Sequence, residues 1–388
     1  MRAVMIYLDN AATSFPKPER VSMEMARCMR QYCANPGRGG HYLSMEAGRA
    51  VTKAREVIGS FFNIKDPMQL CFTKNATEAL NIAIKGALEP GVHVITTCME
   101  HNSVMRPLKT LERDLGIKTT VIEGNELGEV EPEQVKKSIR HDTAMIISTL
   151  SSNVNGIIMP VKEIGRIARE AGILFLLDAS QGAGSISLDV EDLNADLLAF
   201  PGHKGLMGPQ GTGGVYVRQG VKLRCLCEGG TGSNSESMFQ PDFMPDLLES
   251  GTLNTPGIVG LCKGIEFINE KGTDHICNHK YALTARLLEG IREIKGARLY
   301  SRLEKACNSG IVAVNFEGFD STEISYMLDK EFGIATRAGL HCAPAAHRRL
   351  RTSDTGIVRF SPGYFNTMQE IDFVIRALEK NSRRSMQL

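Results

Sequence analysis

The chain has 388 residues, a formal charge of +1, 42% hydrophobic and 23% charged residues. That is the balance of an ordinary globular protein, too long for one small core, so two domains are expected. It argues against a basic nucleic-acid binder or a polybasic membrane-surface protein, and no apolar run reaches the roughly 18–20 residues that span a bilayer.

The stretch Met1–Asp9 lacks a long apolar region and a small-residue cleavage site, so a cytoplasmic protein is expected. Ten cysteines in that setting are expected as thiols. Cys225-Leu226-Cys227 lacks zinc-ligand spacing, and no metal site is expected there.

Ala47, Val51, Ala54, Ile58 and Phe61 recur at offsets of three and four, which predicts a helix with one apolar face. Cys71-Phe72-Thr73 reads as a strand end. Asn75-Ala76-Thr77-Glu78 then resembles a capping box, Asn75 the N-cap and Glu78 at N3, opening a helix through Ala87. Short apolar runs at 93–97, 119–122, 144–148, 173–177 and 197–200 predict buried strands. Between them, Val161–Ala171 reads as a helix stopped by Gly172. Helices alternating with continuously apolar strands predict an α/β fold with a mainly parallel sheet covered on both faces. Gly208–Gly214 is glycine-rich but lacks the Gly-Lys-Ser/Thr ending and runs into Val215-Tyr216-Val217, so it reads as a turn into a strand rather than a nucleotide loop.

Thr255-Pro256-Gly257 marks a helix start, threonine as N-cap and proline at N1. Beyond it a smaller α+β unit is expected: helices near 280–294, 321–330 and 367–379, strands near 311–316 and 356–360, and a short connection after 330.

Chemistry gathers where the strands end. Lys204 follows the 197–200 run, and Asp178 closes the 173–177 run. Open α/β sheets bind ligands at the C-terminal ends of their strands. A lysine able to form a Schiff base, beside an acid able to keep a pyridine nitrogen protonated, is the minimal apparatus of pyridoxal phosphate chemistry. The helix opening at Asn75 offers backbone N–H groups and the Thr77 hydroxyl to a phosphate, although plain capping explains the same residues. His101 and Asn153 follow two further strands; one suits stacking on a flat ring, the other hydrogen bonding, and ordinary loop chemistry is the plainer reading of each.

Tyr7-Leu8-Asp9-Asn10-Ala11-Ala12-Thr13, Glu100-His101-Asn102, Ser152-Asn153, Asp178-Ala179-Ser180-Gln181, Gly202-His203-Lys204, Gly251-Thr252-Leu253-Asn254-Thr255 and Arg337-Ala338-Gly339-Leu340-His341-Cys342-Ala343 together resemble the class V aminotransferases, and among them the cysteine desulfurases of the group II, selenocysteine lyase-like branch. The resemblance implies a pyridoxal-phosphate transferase of fold type I. A large domain over 16–255 would carry a mainly parallel seven-stranded sheet, and a small domain over 1–15 and 256–388 would carry the cysteine.

It also implies roles. Lys204 would hold pyridoxal 5'-phosphate and move protons, Asp178 would pair with the ring nitrogen, and His101 would stack on the ring. Asn153 and Gln181 would approach the phenolic oxygen, and Ala76, Thr77 and His203 would flank the phosphate. Thr252 would reach the phosphate of a second subunit, which implies a homodimer. Arg359 would clamp the substrate carboxylate, with Asn153 and Arg337 beside the substrate. Cys342 would take sulfur as a persulfide, with Arg337 and His341 favouring its thiolate. A sulfur-acceptor protein is a further implied partner, beside the small amino-acid substrate. Pro201 and Ala76 depart from the pattern, standing where hydroxyl residues often occur. A selenocysteine lyase, a cysteine sulfinate desulfinase, or an aminotransferase or lyase acting on another amino acid stays open on the same scaffold.

Overall fold

A computed structural model describes residues 5–36 and 39–385; the first four residues of the Met1–Asp9 stretch lie outside it. Seven strands form one sheet in the order Leu70–Thr73, Gly213–Val217, Leu197–Pro201, Leu174–Asp178, Thr143–Thr149, His93–Thr97, Lys118–Ile122. Gly213–Val217 alone runs against the others. Inner strands are mostly apolar, on both faces, because both faces are covered. Ile146, Phe175, Leu177, Leu198 and Phe200 point into one core. Met145, Ile147, Leu176, Leu197 and Ala199 point into the other.

A second sheet, all antiparallel, runs Arg337–Gly339, Ile357–Phe360, Val312–Phe316, Ala297–Leu299. It has its own core, where Val312, Val314, Val358 and Phe360 meet Leu283, Leu287 and Ile291 of the helix Thr273–Arg292 and Ile371 and Ile375 of the helix Met368–Ser385. Ile6–Tyr7 joins this part of the molecule through a parallel pair with Ile334–Ala335.

Several expectations need local correction. Asn75 does cap the helix Ala76–Ala87, its side chain accepting from Glu78 N–H at 2.9 Å. The returning Glu78 carboxylate, however, accepts from Lys74 N–H at 2.6 Å rather than from the cap residue. The helix Thr255–Lys271 is capped by Asn254, whose side chain accepts from Gly257 N–H at 3.1 Å, so Thr255 is already helical and the cap lies one residue earlier. Phe61 is half-buried and Phe62, the C-cap, takes the core position, because the helix Tyr42–Phe61 tightens at its end. The helix expected near 280 starts at Thr273, and the connection after 330 is not short. It holds the Ile334–Ala335 and Arg337–Gly339 strands and the helix Pro344–Leu350. Those pieces are too brief to show a period, which is why the sequence concealed them. The helices Glu19–Gln31 and Asn102–Leu115 were likewise not anticipated.

Candidate active site

Six strands of like direction end on one edge of the large sheet, and a cavity opens there. It is lined by Ala76 and Thr77, His101, Asn153, Asp178 and Gln181, and His203 and Lys204; from the second sheet come Arg337 and Arg359, and from the turn after Arg337–Gly339 comes Cys342. All the expected site residues line it except Thr252. That residue is exposed on a separate cleft with Lys74, Cys227 and Asn254.

Lys204 is desolvated, and burial brings its amine down to about 8 even though the Asp178 carboxylate opposes the shift. A lysine so placed is a nucleophile near neutral pH. Asp178 ends its strand with Oδ1 accepting from Ser180 N–H at 2.8 Å. The Lys204 backbone is held from the N-terminal segment. Ser14 Oγ donates to the Lys204 carbonyl at 2.8 Å, and Thr13 Oγ1 and Lys17 Nζ donate to the His203 carbonyl at 3.0 and 2.6 Å. Short-range sequence patterns give no sign of that clamp, since its halves lie almost 190 residues apart.

His101 is the N-cap of the helix Asn102–Leu115. Its Nδ1 accepts from Ser103 N–H at 3.1 Å and lies 2.9 Å from Ser103 Oγ, which is 2.8 Å from Thr77 Oγ1. Burial, then the Lys204 charge, lower this imidazole to about 4, so it is neutral with its proton on Nε2. His203 is lowered to about 4 for the same two leading reasons, and its Nδ1 is buried without a partner. Beneath the site Glu100 is fully buried; Thr97 Oγ1 and Thr149 N–H donate to its Oε1 at 2.7 and 2.9 Å. Desolvation raises its carboxyl to about 8. Ser103 and Glu100 were missed as contributors because each gains meaning only from contacts between strand ends.

Arg359 is not a free fork. Its Nη2 donates to Asp9 Oδ1 at 2.8 Å and its Nη1 to the Asn153 carbonyl at 2.7 Å, while its Nε is buried and unpartnered. Asp9 belongs to the motif that carried the resemblance, yet it had no expected role. Asn153 Nδ2 donates to the His341 carbonyl at 2.6 Å, which leaves its buried Oδ1 without a partner. Gln181 Nε2 donates to the Ala11 carbonyl at 2.9 Å.

Cys342 is an exposed thiol on a constrained turn. His341 and Cys342 both have left-handed backbone, φ 48° and 55°, which costs a non-glycine residue about 1 kcal/mol or more each. Asn102 N–H holds the Cys342 carbonyl at 2.8 Å, so the helix that begins after His101 docks directly on the cysteine segment. His341 itself faces inward, stacked on His347 with centroids 5.7 Å apart. Burial, with the Arg359 charge beside it, brings its imidazole to about 2. The expectation that His341 promotes the thiolate is therefore corrected: a neutral ring offers no positive charge.

Fold and cavity together define an α/β protein with a desolvated lysine, an acid and a neutral histidine at the sheet edge. The chain belongs to the class-V aminotransferase family, whose model matches residues 6–374. It is 36% identical over 381 residues to a probable cysteine desulfurase of Methanothermobacter thermautotrophicus, covering 97% of this chain and 94% of that one. It is 33% identical over 393 residues to the cysteine desulfurase IscS of Pseudoalteromonas translucida, covering 97% of this chain and 92% of that one. Among solved structures, the apo cysteine desulfurase from Thermococcus onnurineus NA1 superposes with a TM-score of 0.93 at 32% identity, covering 98% of this chain and 95% of that one.

Proposed function

We propose that the protein is a pyridoxal-phosphate-dependent L-cysteine desulfurase that gives L-alanine and a persulfide on Cys342. The observation that carries the reading is one cavity lined by Lys204, Asp178 and an exposed cysteine. The residues present fit the cofactor: a desolvated amine faces an acid, and His203 Nδ1 and Asn153 Oδ1 are buried polar atoms that await partners. The N-terminus of the helix Ala76–Ala87, with Thr77, suits its phosphate. Bound there, pyridoxal phosphate supplies an electron sink that weakens bonds at the substrate Cα and Cβ.

The chain's own groups do the rest. With the cofactor bound, Asp178 would accept from the ring nitrogen, His101 would stack on the ring, and Gln181 and Asn153 would serve its phenolic oxygen. Arg359, oriented by Asp9, receives the substrate carboxylate, and Arg337 stands at the cavity wall. Lys204 Nζ takes the proton from the substrate Cα and returns one to the carbon skeleton that leaves as alanine. Cys342 Sγ bonds the substrate sulfur as the Cβ–S bond breaks. Cysteine and one thiol thus become alanine and one persulfide, with atoms and electrons balanced.

The same reading includes a homodimer, with Thr252 serving the partner's phosphate. Its exposed position outside the Lys204 cavity, and Met238 and Phe239 at 97% and 85% exposure on the preceding loop, support it. It also includes division into 16–255 and 1–15 with 256–388, a cytoplasmic setting and a sulfur-acceptor protein. Among the described residues no helix is long and apolar enough to cross a membrane. Replacing Cys342 by serine tests the function: cofactor colour is retained, while alanine and sulfide formation from L-cysteine fall at least a hundredfold. Undiminished turnover would contradict the role of Cys342.

A further inference from the structure

A second cleft opens on the far side of Gln181 and Ala11, the two residues that line both it and the Lys204 cavity. Lys280, on the helix Thr273–Arg292, reaches its wall. The ammonium donates to Ser185 Oγ at 3.1 Å and to the Ser309 carbonyl at 3.2 Å. Three protons meet two acceptors there, leaving one N–H over. The one titratable neighbour that acts on it is the Cys277 thiol on its own helix, and no carboxylate offsets its charge among the described residues. A half-buried ammonium with no carboxylate beside it leaves a place for an anion.

The rest of the wall limits that anion. Ile276, Ile311, Met207 and Phe365 give the cleft an apolar face, beside the polar side chains of Asn10, Ser14, Gln181 and Ser361. Gly310, at φ 103°, leaves the room that the lysine stem takes, since a Cβ there would come within 3.0 Å of Lys280 Cε. A single cation beside an apolar face suits a singly charged group with a hydrocarbon end better than a dianion, which would call for a second cation. We propose that this cleft binds a small monocarboxylate with a short apolar tail, its charge on Lys280 and its tail against Ile276, Ile311 and Met207.

Such a ligand would touch the frame of the active site without entering it. The Gly182–Ser185 loop packs on the backbone beside Lys204. A Cβ on Gly184 would meet the Gly205 carbonyl oxygen at 2.2 Å, and one on Gly205 would meet that of Ala183 at 2.1 Å.

Calorimetric titration of the intact, cofactor-loaded protein with butyrate tests the site, with inorganic phosphate as the comparison. Butyrate is expected to bind once per chain and more tightly than phosphate. Lys280→Met and Lys280→Gln should each weaken it at least tenfold, while Arg359→Gln leaves it within twofold. Lys280→Gln retains amide donors for Ser185 and Ser309, so it carries the test if Lys280→Met does not fold. Absence of butyrate binding, unchanged affinity in a folded Lys280 variant, loss in Arg359→Gln alone, or tighter binding of phosphate would each overturn the proposal. None of these readings depends on the sulfur reaction.

Discussion

Arg359 is almost wholly buried, and its charge is met by Asp9, whose side chain is one-fifth exposed. Removing one member of such a pair leaves the other without compensation. Asp9→Asn is therefore expected to raise the KM for the amino acid about tenfold, with kcat within about threefold, and to cost roughly 2 kcal/mol of stability in a denaturant melt. An unchanged KM would show that Asp9 does not orient the carboxylate receptor. Lys204 acts differently, because nothing else in the cavity offers an amine for covalent attachment among the described residues. Lys204→Ala is expected to yield a folded protein without the visible cofactor absorbance. A persistent yellow, borohydride-reducible species would contradict the assignment of Lys204.

Elements bring these residues together with little spare room. Gly165, in the helix Val161–Ala171, lies so close to the Leu193 carbonyl that a Cβ would sit 1.9 Å from its oxygen. Backbone cannot yield as a side chain does, so Gly165→Ala is expected to cost about 2 kcal/mol, read as a lower denaturation midpoint. A neutral or stabilising result would mean that the helix shifts freely over the sheet. The strands and their order of chemistry were legible from the sequence because buried parallel strands carry near-continuous apolar runs, after which the polar site residues follow. The cysteine segment was legible only as a motif. Its turn rests on the left-handed pair His341 and Cys342 and on bonds from Asn102 and Asn153, contacts that no local periodicity announces. The Asp9 partner of Arg359 was hidden for the same reason: 350 positions separate them.

Across the whole molecule, buried histidines make stability depend on pH. His101 and His203 are lowered to about 4 and His341 to about 2, from an ordinary 6.5. Between about pH 6.5 and 4.5 the unfolded chain binds protons at these rings that the native state refuses, so acidification favours unfolding. Glu100, raised to about 8, opposes this, because it keeps its proton in the native state above 4.5. Three rings outweigh one carboxyl, and the denaturation midpoint of the cofactor-free protein is expected to fall from pH 6.5 to pH 5. A flat or rising midpoint would mean that the rings are not buried in their neutral form. The sulfur chemistry has the most direct test in the products. Purified, cofactor-loaded protein is incubated separately with L-cysteine, L-selenocysteine and L-cysteine sulfinate, and alanine is measured from each. The expected result is alanine from L-cysteine that disappears in Cys342→Ser. Alanine from L-selenocysteine or the sulfinate but none from L-cysteine would contradict a desulfurase.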